Sequence, residues 1–155
     1  MRALARILGL TLLLICLQAC GDDEGDSLTG TGISISDIQG SWNAIRVEFD
    51  IAGSGASLAI DVIQAGGSAT LVIQPNGRFT LTITQMGESP EVTTGQMSVD
   101  EDLLVIEFDD SPGESEFFGV RSTENTLSIN GPAEFDLDND GMDDPARVEM
   151  DFERA

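Results

Sequence analysis

From Ser34 onward apolar and polar residues alternate with a period of two, and this pattern limits the chain to strands more firmly than any single motif in it. Ile45, Val47, Phe49 and Ile51 alternate with Arg46, Glu48 and Asp50, and Leu58, Ile60 and Val62 repeat the pattern beyond a Gly-Ser-Gly break at 53–55. Leu71 and Ile73 run into Pro75-Asn76-Gly77, and Phe79, Leu81 and Ile83 run out again, which is a hairpin signal. Residues 92–99 and 103–108 form a second pair around Asp100-Glu101-Asp102. Residues 117–120, residues 126–129, and Val148, Met150 and Phe152 complete the set. About eight strands joined by short turns, with no helical stretch, predict an all-β antiparallel meander closed into a barrel, or failing that a β-sandwich. The core-facing positions expected from alternation are Ile45, Val47, Leu71, Ile73, Phe79, Leu81, Val105 and Phe108.

Ahead of this domain, Arg2 and Arg6 precede an apolar run at 7–17 that is too short to span a bilayer, and small Ala19 precedes Cys20. Leu17-Gln18-Ala19-Cys20 resembles the lipobox of bacterial lipoproteins. That resemblance implies a signal peptide over 1–19, cleavage before Cys20, acylation of Cys20 and anchorage to a membrane of the cell envelope through acyl chains. Gly21 rather than Asp after the cysteine favours the outer membrane, under the sorting rule of some enteric bacteria. Residues 20–33 read as an acidic, glycine-rich tether in which Leu28 is the first apolar residue, and residues 34–155 as one β domain.

Removing 19 of 155 residues leaves 136, enough for one domain with a real core. Loss of Arg2 and Arg6 takes the formal charge from −21 to −23. Such a surface repels a phosphate backbone, so nucleic acid is excluded as a partner. The chain has no His, Lys or Tyr, and Cys16 lies in the leader. Ser/His and Cys/His nucleophile pairs, imidazole or thiolate zinc sites, Schiff-base lysines and disulfides are therefore absent from the domain. Carboxylates alone could act as general acids or bases. With no other feature pointing to a reaction, the sequence reads as that of a non-enzyme.

Several short signatures resemble bacterial lipocalin-like domains. They are Gly40-Ser41-Trp42, the hairpin through Asn76-Gly77-Arg78-Phe79, Gly95-Gln96-Met97-Ser98-Val99, and the following Leu103 strand. The resemblance implies a barrel of about eight strands in which Trp42 packs against the barrel floor.

Asp136-Leu137-Asp138-Asn139-Asp140-Gly141-Met142-Asp143-Asp144 has the spacing of a loop that turns oxygens inward on a hard cation, with Gly141 permitting the bend. It departs from an EF-hand, because Arg147 stands where the closing Glu would fall. It resembles instead the D-x-D-x-D-G calcium loops of integrin-like propeller and thrombospondin-type repeats. By that resemblance Asp136, Asp138, Asp140 and Asp144 give side-chain oxygens, and the carbonyl of Met142 supplies a further ligand. Calcium with a structural role is the expected cofactor, against the plainer reading of a solvated acidic turn.

Two functions follow as expectations. One is a small apolar ligand held in the barrel; the other is a structural or interaction module of the envelope with a filled barrel.

Overall fold

The computed structural model describes residues 32–51, 59–136, 142 and 144–155. Among these residues a short helix α1 (Ile35–Ile38) is followed by nine strands, β1 (Gly40–Ile51), β2 (Ala59–Asp61), β3 (Ser68–Ile73), β4 (Arg78–Thr84), β5 (Glu91–Asp100), β6 (Leu103–Phe108), β7 (Glu116–Ser122), β8 (Thr126–Phe135) and β9 (Asp144–Arg154). β1 and β3 to β9 are antiparallel neighbours in that order, and β9 returns to pair with β1 from Trp42↔Arg154 to Ile51↔Ala146. The sheet therefore closes into an eight-stranded meander barrel, which removes the sandwich alternative.

β2 is the strand left outside this barrel order, and it shares an edge of β1 with β3. Glu48 pairs with Asp61 on β2, while Asn43, nearer the start of β1, pairs with Thr70 on β3. Between β2 and β3 lies a turn organised by Asp61, whose carboxylate accepts hydrogen bonds from the Ile63 amide and the Gln64 side chain, both at 2.9 Å. Val62, placed on a strand by its alternation, sits in this turn and is nonetheless buried; Leu58 lies outside the described residues.

Two of the expected core positions point the other way. Ile45 is 52% exposed because the β1–β9 register shifts between Ala44 and Arg46, so that Ile45 is an extra residue in a β-bulge. Trp42 before the bulge and Val47 and Phe49 after it face inward. On β6 the buried residues are Leu104 and Ile106, with Phe108 packed against the core. Val105 lies between them on the outer face, opposite Ser98 and Phe117. Positions 105 and 108 differ by an odd number, and a regular strand cannot turn both to one side. Val47, Leu71, Ile73 and Phe79 are buried as expected, and Leu81 is partly buried against the same cluster.

Two glycines make room for aromatic rings in the interior. A side chain at Gly95 would strike the Phe79 ring, its register partner, and one at Gly131 would strike Phe118. Phe108 joins these two rings edge-on, at 6.1 Å from Phe79 and 6.5 Å from Phe118. At Pro75-Asn76-Gly77 the predicted hairpin is present, with Gly77 at φ +84° and its carbonyl accepting the Met97 amide at 2.8 Å. β8 continues through Gly131-Pro132, where the sequence suggested a stop at residue 129. The β7 ladder ends at Gly119↔Asn130, so residue 132 has a partner on β9 alone and a missing N–H is tolerated there.

α1 is the helix that alternation did not reveal. Its first turn is closed by Asp37, whose carboxylate accepts from the Ser34 amide (2.8 Å) and hydroxyl (2.6 Å). Four residues cannot hold a helix by themselves. Burial of Ile38 and a 2.8 Å hydrogen bond from Trp42 Nε1 to the Ile38 carbonyl fix it across one end of the barrel.

Candidate functional site

The meander sends alternate connections to opposite ends. α1 and the turns at 74–77, 101–102 and 123–125 form the floor, and the connections at 85–90 and 109–115, with the end of β8 at Phe135 and the start of β9 at Asp144, surround the open end.

Burial falls along the barrel axis from floor to mouth. Trp42, Val47, Leu104, Leu127 and Ile129 are completely buried, and Leu71 and Phe152 are nearly so. A void wide enough for water would leave its lining accessible, so the floor half is filled by side chains. Toward the mouth the inward positions Leu81, Ile83, Phe108 and Phe135 are partly exposed while still packed against the core. Phe135 stacks on Phe49 with ring centroids 4.3 Å apart. Two clefts, of about 500 and 730 Å³, lie outside the wall at the floor end, on either side of Ile33. The first runs between Ile35, Pro75 and Val99, and the second between Asp37, Asn125 and Arg154.

The mouth is acidic. Glu116 begins β7 opposite Ile106, and its carboxyl is pushed above the usual range by partial burial, then by Glu134, Asp110 and Glu114. On the outside of the barrel Asp109 receives two guanidinium bonds from Arg78, at 2.8 and 2.7 Å, and the Thr94 hydroxyl at 2.6 Å. Those bonds hold its carboxyl down to about 2.

The aspartate-rich run connects β8 to β9 at this same end. Phe135 and Asp144 are register partners, so Asp136 and Asp144 stand on the two sides of the hairpin neck. Asp138 and Asp140 lie outside the described residues, and Met142 is exposed. The fold thus brings the first and last of the expected oxygen ligands to one neck. Cys20 also lies outside the described residues.

Sequence reasoning missed the apolar mouth residues Ile83 and Phe135 as a group, and it missed Arg154. Alternation carried the signal for Ile83; for Phe135 it was hidden behind Gly131-Pro132. No protein-family model matches the sequence, and no curated protein matches it. Among solved structures, the chain is similar to a lipocalin-like protein from Bacteroides uniformis, at 14% identity and a TM-score of 0.44, over 77% of this chain and 99% of that one.

Proposed function

We propose that this protein is a non-catalytic lipoprotein of the bacterial cell envelope, anchored at Cys20, whose barrel takes a small apolar ligand at its open end. The observation that carries this reading is the burial gradient. Leu81, Ile83, Phe108 and Phe135 remain partly exposed above a filled floor, so apolar surface is available at the mouth and not in the depth. Burying that surface under a ligand gains about 25 cal/mol per Å². The acidic run between β8 and β9 holds a calcium ion through Asp136, Asp138, Asp140, Asp144 and the Met142 carbonyl, and so fixes the hairpin that carries Phe135.

A second reading draws on the filled floor half itself. A barrel packed at this level has the interior of a structural or interaction module, in which the outer walls and loops meet other envelope components.

Native mass spectrometry of the full acylated protein, gently extracted, separates the two. A co-purified apolar molecule that is lost in Ile83→Asp, a variant altered only at the mouth, supports the ligand reading. A clean apo mass, together with no displacement of an environment-sensitive apolar dye by fatty acid, supports the filled module.

A further inference from the structure

We infer that the wall formed by the first half of β1 with β3, β4 and β5 is the face that the domain turns toward the lipid bilayer carrying it; this rests on the lipid anchorage proposed above. The strand register lays two cross-strand rows over this wall. Asn43, Thr70, Thr82 and Val92 form one, and Ser41, Val72, Thr80 and Thr94 the other. Their chain neighbours Trp42, Leu71 and Leu81 face the core, so these side chains point outward, and none is charged. Val72 and Val92 are 43% and 57% exposed, and Met86, in the hairpin just beyond the rows, is 75% exposed.

The other walls carry more charge; β6 and β7 also expose Leu103 and Phe117, but with Glu107 and Arg121 on the same outer face. Where β1 meets β9, Arg46 is set among three carboxylates, those of Glu48 (2.9 Å), Glu149 (3.0 Å) and Asp151 (3.6 Å), and Glu48 stands directly opposite Glu149. The floor carries Asp100, Glu101 and Asp102, and the mouth carries Asp110, Glu114 and Glu116. For a mature chain of about −23, approach to a surface bearing anionic headgroups is opposed wherever its own acids lead. That repulsion acts within about 8 Å at physiological salt, which is the range of contact. The two neutral rows, bordered on this wall by the Arg78–Asp109 ion pair, meet the least of it.

The tether permits the contact. Gly21 to Gly32 is 12 residues, a length of chain that spans at most about 40 Å. It joins the domain at the floor beside α1, and that length is enough for the barrel to lie on its side. A bilayer suits the wall better than a second copy does. Two convex barrel walls touch along a narrow strip, whereas headgroups conform to a curved surface. The acyl chains supply the anchoring and the wall sets the orientation.

The experiment uses the full chain, processed and reconstituted into vesicles of phosphatidylcholine with a minor share of phosphatidylglycerol. Cys16 leaves with the leader and Cys20 is consumed by acylation, so a cysteine introduced by Thr70→Cys, Val92→Cys or Glu149→Cys is a unique labelling site. A fluorophore at 70 or 92 should lose most of its emission to quenchers fixed at the headgroup level, and one at 149 should keep it. Adding V72D and V92D, both at exposed positions, should restore the emission of the label at 70. Equal quenching at 70, 92 and 149 on a protein whose intact mass shows the acyl chains would overturn the orientation and leave the anchorage standing. Absence of acyl mass on Cys20 would overturn the anchorage itself. Shielding of 70 and 92 that depends on protein concentration and is insensitive to the lipid quencher would assign the wall to a second copy and overturn the inference.

Discussion

The guanidinium of Arg154 lies over the indole ring of Trp42, its central carbon 4.2 Å from the ring centroid, and the two residues are register partners where β9 closes on β1. Arg154 also donates to three backbone carbonyls, of Glu124 (2.8 Å), Gln39 (3.0 Å) and Asp37 (3.4 Å). One side chain therefore ties α1, β1, β9 and the β7–β8 turn into a single floor. Removing it by Arg154→Ala should cost about 1–3 kcal/mol, as the cation–π contact and charge-assisted bonds are lost together. Trp42→Ala should cost about 3–5 kcal/mol. Urea denaturation followed by circular dichroism measures both, and the double variant should fall short of additivity by at least about 0.5 kcal/mol.

Asp109 and Glu116 should give opposite pH responses. The Asp109 carboxyl is held at about 2 by Arg78 and Thr94, below its ordinary 3.8, so its contribution is fully present above about pH 4 and is lost as pH falls toward 2. Asp109→Asn should therefore lower Tm at neutral pH, and the difference should shrink as pH falls through about 2. Glu116 is raised from 4.5 by burial and by its acidic neighbours, so the native state favours its protonated form, and stability declines as pH rises through that interval. Glu116→Gln should raise Tm at pH 7 and leave it unchanged below pH 4. Thermal melts of the three proteins across pH 2–7 read out both effects.

Gly131 is required by Phe118, whose ring occupies the space a side chain would fill. Gly131→Val should destabilise the barrel by about 1–3 kcal/mol through overpacking. Combining it with Phe118→Leu should recover part of that loss, a coupling that a simple loss of glycine flexibility would not produce.

The bulge at Ile45 makes a paired prediction. Ile45→Thr, at an outward position, should change stability by less than about 0.5 kcal/mol. Val105→Thr, also outward, should likewise be mild, whereas Leu104→Ala beside it should cost about 2–5 kcal/mol.

Calcium should stabilise the folded chain through the β8–β9 hairpin. At a hundredfold excess over Kd the expected gain is about 2.7 kcal/mol, visible as a rise in Tm over the chelated protein. Asp138→Asn or Asp140→Asn should abolish most of the rise; an equal Tm with chelator and with millimolar calcium would return the run to a solvated acidic turn.

Read without coordinates, the chain yields its strands, because a side-chain period of two is a local property that each segment carries on its own. Val47, Leu71, Ile73 and Phe79 were legible as core for that reason, and the turn at Asn76-Gly77 because its backbone demands glycine. The candidate site was legible only in pieces: an aspartate spacing and a set of apolar residues, with no indication that Phe135 and Asp144 would meet at one hairpin neck beside the mouth. What closure of β1 on β9 decides is non-local. It inserts the bulge that turns Ile45 outward, sets Arg154 over Trp42, and gives the four-residue α1 a floor to bury Ile38 in. Each depends on strands remote in sequence sharing a register, and the free energy that selects the register comes from filling one common interior rather than from any segment alone.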